Sequence, residues 1–245
     1  MLAALPARAD REPVVGAGEG GDETTAIDAA AERAILARFE PLDDLTIVSE
    51  EIGVKGDGAT YVVIDPIDGS LNAKRGIGFF SLSIAVASGP TMGDVYFGFV
   101  HDFGTGEEWI ATRGEGAFLN ERPLDGDLPK EQIEILSFEA TRTSSVAEKA
   151  AAVVGLAYRL RIMGSLALSL CHLAAGRVDA VCSLKPARSV DIAAAQLLVR
   201  ERGLAIDLPD APPFESAPLD VEGRSRVVAA GTQGVCRRLA DALST

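Results

Sequence analysis

Carboxylates gather where ordered elements begin or end: Asp22 and Asp28 on the first helix, Glu50 and Glu51 after a strand, Asp65 and Asp68 in one corner, and Asp191 opening a late helix. The corner reads VVIDPIDGS. An apolar run stops at Asp65, Pro66 turns the chain, and Asp68 comes next to Gly69 and Ser70. A strand buried on both faces rarely ends in two carboxylates unless something neutralises them. Oxygen ligands of this kind suit Mg²⁺ or Mn²⁺, whereas zinc is better served by Cys or His. Gly69 and Ser70 open what reads as a helix, whose free N–H groups favour an anion such as phosphate. Carboxylates for metal beside N–H groups for phosphate is the layout of metal-assisted phosphoryl transfer. Taken singly, each has a plainer reading. Asp22 and Asp191 could be N-caps, Asp65 to Gly69 a solvated turn, Glu50 and Glu51 a polar strand end, and Asp28 the wet face of a helix.

The elements that must position these groups follow from the hydrophobic pattern. Ile27, Ala30, Ala31, Ala34 and Ile35 form one helical stripe after a Gly-rich turn, with Asp22 as the expected N-cap. LTIVSEE is a strand ending in polar residues, and TYVVID is a short strand expected to break at Pro66. FFSLSIAVA alternates between two unlike faces, and VYFGFVHD, EEWIATRG and IEILSFEA read as further strands. The second half alternates helix and strand. Helices are expected near 145–154, 165–175, 191–202 and at the C-terminus, with the strands YRLRIM, VDAVCS and RVVAAG between them. Gly176 and Gly203 are expected stops. The polar stretch DGDLPKEQ suggests a lobe boundary, giving an N-terminal lobe 1–135 with most acidic groups and a C-terminal lobe 136–245 with Asp191. Residues 204–225, rich in proline, read as loop with one short strand.

The 245 residues carry a formal net charge of −13. A field of that sign opposes nucleic acid and anionic membranes. It also opposes a phosphorylated metabolite unless bound cations invert it locally. No apolar stretch reaches the roughly 18 residues that span a bilayer. The start, MLAALPARADREP, has no basic region followed by a sustained apolar run, so no secretory leader is expected. Cys171, Cys182 and Cys236 are scattered without metal spacing, which suits reduced thiols in a cytoplasm. His101, His172 and Trp109 read as structural. Cys171 beside His172 on a helix does not make an activated thiol.

GDETTAID, IVSEE, VVIDPIDGSLNAKRGIGFFSLSIA and SVDIAAAQLLVRERG resemble, in order, the signature segments of the inositol monophosphatase family. This is the lithium-sensitive, magnesium-dependent phosphatase superfamily that also holds fructose-1,6-bisphosphatases and 3′-phosphoadenosine nucleotide phosphatases. The resemblance covers nearly the whole chain and is strongest to the bacterial and archaeal branch acting on inositol phosphate, fructose bisphosphate or both. It implies an α/β (α+β) fold, a two-lobe layered α-β-α-β-α sandwich with the site in a cleft, and commonly a homodimer. It implies two or three Mg²⁺ ions, with Mn²⁺ as a possible substitute, on Glu50, Asp65, the Ile67 carbonyl, Asp68 and Asp191. Gly69 and Ser70 would hold phosphate through backbone N–H groups. Asp28 would pair with the Ser70 hydroxyl to orient the attacking water, with Glu50 completing the catalytic set and no covalent intermediate. Asp22 and Glu51 would lie in the outer shell. Ser165, Ser183, Lys185 and Arg188 are the expected substrate contacts.

The chain departs from the family in places. Only 21 residues precede Asp22, so its first helix is expected to be short or its start trimmed. Ser183 stands near where the animal enzymes hold inositol with a glutamate. Lys185, Arg188, Arg159, Arg161, Lys74 and Arg75 are candidates for a second phosphate, or simply solvated charges. The expected activity is a Mg²⁺-dependent phosphomonoesterase acting on inositol monophosphate. Fructose-1,6-bisphosphatase, alone or as a dual activity, is the alternative. A 3′-phosphonucleotide phosphatase, or a silent metabolite sensor that has lost a ligand, ranks below both.

Overall fold

A computed structural model describes residues 5, 7–19, 21, 23–128, 131–139 and 142–244. Its helices are α1 (Arg8–Arg11), α2 (Ala26–Phe39), α3 (Ser70–Arg75), α4 (Thr143–Ala150), α5 (Leu166–Ala174), α6 (Ser189–Glu201) and α7 (Gln233–Ser244). β1 (Val14–Ala17) and β2 (Glu23–Thr25) form a small hairpin. The first large sheet holds β3 (Leu45–Ser49), β4 (Gly53–Gly56), β5 (Thr60–Asp68), β6 (Ser81–Ala87), β7 (Val95–Asp102), β8 (Glu108–Thr112), β9 (Gly116–Leu119) and β10 (Arg122–Pro123). Its order is β10-β9-β8-β7-β6-β5-β3-β4, antiparallel throughout except where β3 pairs with β5. The second holds β11 (Ile133–Glu139), β12 (Ala157–Arg161), β13 (Ala180–Ser183), β14 (Ala205–Asp207) and β15 (Val228–Ala230), in the order β12-β11-β13-β15-β14. There β11 runs parallel to β12 and β13, and β15 runs antiparallel to both its neighbours.

The apolar stripes stack these elements into five layers, as expected. Ile27 and Ala31 of α2 and Ala73 of α3 pack with Ile67 and Phe80 on the outer face of the first sheet. On its inner face, Val63, Val100 and Trp109 join Leu170 of α5 and Leu197 of α6, and the same cluster continues to Val181 and Ala229 of the second sheet. Phe138, Cys182 and Val228 then meet Val235 and Leu239 of α7. The inner face of β6 is the small one: Ser81, Ser83, Ala85 and Ala87 are buried, while Leu82, Ile84 and Val86 are half-buried. Small side chains let α6 lie close. A Cβ on Gly98 of β7 would meet the Ala194 carbonyl oxygen at 2.5 Å.

Two boundaries differ from expectation. β5 does not break at Pro66 but continues to Asp68. The β5–β6 ladder shifts register between the pairs Asp65↔Ser83 and Asp68↔Ser81. Pro66 and Ile67 thus oppose a single residue, and this bulge absorbs the missing proline N–H. Helix α4 ends at Ala150 and tightens into a 3₁₀ turn, Ala151–Val153. The expected cap Asp22 lies outside the described residues; α2 starts at Ala26 behind Thr25.

Candidate active site

The one parallel pairing of the first sheet builds the acidic centre. β3 and β5 run side by side with Ser49 opposite Ile64, so the next residue of each, Glu50 and Asp65, emerges at the same edge. Asp191 reaches that edge from the first turn of α6, where its Oδ2 accepts the Arg188 N–H at 2.8 Å. Each of Glu50, Asp65 and Asp191 offers a carboxylate oxygen, and these lie within 4.8 Å of one another. Burial, then the Asp191 charge, pushes the Glu50 carboxyl up to about 7. Burial and the neighbouring Glu50 raise Asp65 well above the usual range. Asp191 is raised by burial as well. Like-charged oxygens this close, shielded from water, are stable as ions only around a cation. Their hard oxygen chemistry fits a divalent ion of the Mg²⁺ type.

The centre forms the floor of a cavity of about 490 Å³ whose walls come from both halves of the chain. Asp68 and Ile67 line it too, outside the three-carboxylate group. Asp68 turns toward the second half: its Oδ2 accepts the Ser165 hydroxyl and the Ala167 N–H, the latter at 2.7 Å, at the N-terminus of α5. Burial still pushes its carboxyl up to about 7. Gly69 takes φ +91°, and a Cβ there would press on the carbonyl oxygens of Gly164 and Phe79 at 3.0 and 3.1 Å. Only glycine suits that backbone and that close approach.

Ser70 and Asp28 both line the cavity, yet each has another partner. The Ser70 hydroxyl donates to the Ile67 carbonyl at 2.9 Å, closing the turn on itself. Asp28 sits in the first turn of α2, where its Oδ2 accepts the Thr25 N–H at 3.1 Å and the Thr25 hydroxyl. This is a capping box. The expected Ser70–Asp28 pair is therefore replaced by Thr25–Asp28. Arg188, expected as a substrate contact, is buried and ion-paired with Glu50. Ser183 lines the cavity while its hydroxyl accepts the Val227 N–H at 2.8 Å. Ser165 is buried against Asp68, and Lys185 stands in the cavity wall. Glu51 binds the Thr24 hydroxyl. Arg159 pairs with Glu134 at 2.6 Å, outside the cavity.

Sequence reasoning passed over Glu139. It ends β11 opposite Ser183 and lines the cavity. Its carboxylate accepts from Ser137 Oγ (2.8 Å), Ser169 Oγ (2.7 Å) and Gly164 N (2.8 Å). The signal was present, since SFE repeats the pattern of an apolar strand ending in an acid.

A sequence profile of the inositol monophosphatase family matches residues 4–243. The chain belongs to the inositol monophosphatase family. Within the family it is 35% identical over 236 residues to a fructose-1,6-bisphosphatase/inositol-1-monophosphatase of Methanothermobacter thermautotrophicus, covering 91% of this chain and 84% of that one. It is 36% identical over 190 residues to a fructose-1,6-bisphosphatase of Pyrococcus furiosus, covering 76% and 70%. Its fold matches the crystal structure of an inositol monophosphatase–fructose 1,6-bisphosphatase with a TM-score of 0.84 at 30% identity, over 98% of this chain and 93% of that one. Membership in the inositol monophosphatase family makes the chain a phosphoric monoester hydrolase of a metal-dependent kind.

Proposed function

We propose that the chain is a Mg²⁺-dependent inositol monophosphatase that also accepts fructose 1,6-bisphosphate. The observation that carries this is the convergence of Glu50, Asp65 and Asp191 at the edge of a cavity that Gly69 and Ser70 also line. Glu50, Asp65 and Asp191 would hold one divalent ion, and Asp68 with the Ile67 carbonyl would help hold a second. Mn²⁺ would serve in place of Mg²⁺. Bound there, the ions supply Lewis acidity and positive charge to a water and a phosphate ester. The N–H groups of Gly69 and Ser70 hold the phosphate. Asp28, oriented by Thr25, accepts the proton of the attacking water. The reaction breaks a P–O bond and releases an alcohol and inorganic phosphate, with no covalent enzyme intermediate.

The dual reading is favoured by the absence of an acidic side chain at Ser183 and by Lys185 in the wall. A second phosphate gains from such a cation, whereas an uncharged polyol does not. The dual naming of the Methanothermobacter relative agrees with it. We also place the enzyme in the cytoplasm as a homodimer, free of nucleic acid and membrane partners. Three buried free cysteines and the net charge of −13 support the compartment and the partners. No described helix is long and apolar enough to cross a membrane. Lithium inhibition belongs to the same reading.

The test is phosphate release from inositol 1-phosphate, fructose 1,6-bisphosphate and 3′-phosphoadenosine 5′-phosphate, with and without Mg²⁺. Release from the first two that depends on Mg²⁺ is expected. Hydrolysis of the nucleotide alone would overturn the substrate assignment.

A further inference from the structure

Lys74 stands one helical turn beyond Ser70 on α3, so the two side chains share a face. Both line the cavity with Asp28 and Asp68. A lysine that serves only solubility keeps its head in water. Here the side chain is 20% exposed and the ammonium lies 3.8 Å from Asp28 Oδ2. Asp28 is 6% exposed, and its Oδ1 is buried without a hydrogen-bond partner. The ammonium therefore sits inside the site, beside the carboxylate proposed to take the proton of water and one turn from the phosphate seat.

We infer that Lys74 is a catalytic residue that binds the phosphoryl group during transfer, its ammonium bridging the phosphoryl oxygens and Asp28. This rests on the phosphomonoesterase reading and adds a ligand to it. An ammonium is a compact point charge with three donors, enough to serve both groups at once. It remains an ammonium throughout, forms no covalent bond and gives up no proton. Lys185 and Arg188 line the cavity too, but it is Lys74 whose ammonium lies beside Asp28. A cation tethered to α3 supplies positive charge there without drawing another ion from solution.

The test compares Lys74→Met and Lys74→Arg with the parent enzyme in two ways. One is the affinity for inorganic phosphate at saturating Mg²⁺, read by calorimetry without turnover. The other is kcat and KM for inositol 1-phosphate and fructose 1,6-bisphosphate. Loss of a charge-assisted contact should weaken phosphate affinity and lower kcat/KM by about 10- to 100-fold in Lys74→Met. Lys74→Arg, which keeps the charge, should recover most of the phosphate affinity. A thermal melt and the Mg²⁺ half-saturation of Lys74→Met should stay near the parent values, which separates this role from a structural one. Unchanged phosphate affinity and kcat in Lys74→Met, with the parent active, would overturn this inference alone. A parent enzyme that neither binds phosphate nor releases it would overturn the phosphatase reading with it.

Discussion

Asp65 is 2% exposed and faces Glu50, Asp68 and Asp191. Its replacement by asparagine removes charge without changing shape. Asp65→Asn should cut Mg²⁺-dependent phosphate release by on the order of a thousandfold, because an ion at the reacting group is worth several kcal/mol. The same variant should be no less heat-stable than the parent in EDTA, since it relieves like-charge repulsion, and should lose the Mg²⁺-induced rise in Tm. Stability against pH tests the acidic centre directly. The Glu50 carboxyl rises from 4.5 to about 7 on folding, and that of Asp68 from 3.8 to about 7. The folded state then binds more protons than the unfolded chain, so this contribution is complete below pH 4 and is lost as pH rises through 7. In EDTA, Tm should fall between pH 5 and pH 8. Added Mg²⁺ should raise Tm more at pH 8, where it need not displace protons. A pH-independent Tm in EDTA would mean that the carboxylates are not crowded as the structure has them.

At the scale of elements, the site depends on close packing between the first sheet, α5 and α6. Gly98→Ala places a Cβ 2.5 Å from the Ala194 carbonyl oxygen. Neither backbone can give way easily, so a loss of about 1–3 kcal/mol is expected, read as a lower urea midpoint at unchanged m-value. Glu139 ties β11 to the turn before α5, and that turn carries Ser165 to Asp68. Glu139→Ala leaves the Gly164 N–H and the Ser169 hydroxyl without their acceptor, while Ser137 keeps Ser169 Oγ. A cost of about 1–3 kcal/mol follows from such orphaned donors. A weaker Mg²⁺ half-saturation should accompany it, because Asp68 loses its support; melting and Mg²⁺ titration of the purified variant read both.

At the scale of the molecule, we propose that the two lobes, whose boundary near 135 falls within β11, cannot fold apart. The inner face of the first sheet is covered by α6, which comes from the second half, and one core cluster runs through both sheets. Far-UV and near-UV circular dichroism should therefore report a single coincident unfolding transition. The fragment 1–135 alone should lack the dispersed spectrum of a folded domain. Two separate transitions would place the division elsewhere. The charge of −13 belongs to this scale too: a phosphate ester approaches such a molecule only where bound cations reverse the field.

The local chemistry was legible in the chain. Alternating and apolar runs marked the strands, and the acids that end them marked Glu50, Asp65 and Asp68. The apolar run after Asp191, stopped at Gly203, marked α6 and the acid that opens it. Spacing alone could not tell that β5 passes through Pro66 on a bulge, since a proline usually ends a strand and only the neighbour β6 reveals the extra residue. Nor could it tell which hydroxyl Asp28 would bind. Thr25, three residues away on the same cap, is in place whatever the fold, whereas Ser70 must be brought there. Residue types and periodicity determined the acidic corner and the elements that bear it, because these follow from local geometry and burial. Only the tertiary structure decided that Glu50, Asp65 and Asp191 meet, that Asp68 leans on α5, that Arg188 pairs with Glu50 and that Lys74 turns inward. The first three depend on a helix or its preceding turn from the other half of the chain and the last on α3 packing beside α2, and long-range packing leaves no periodic mark in a sequence.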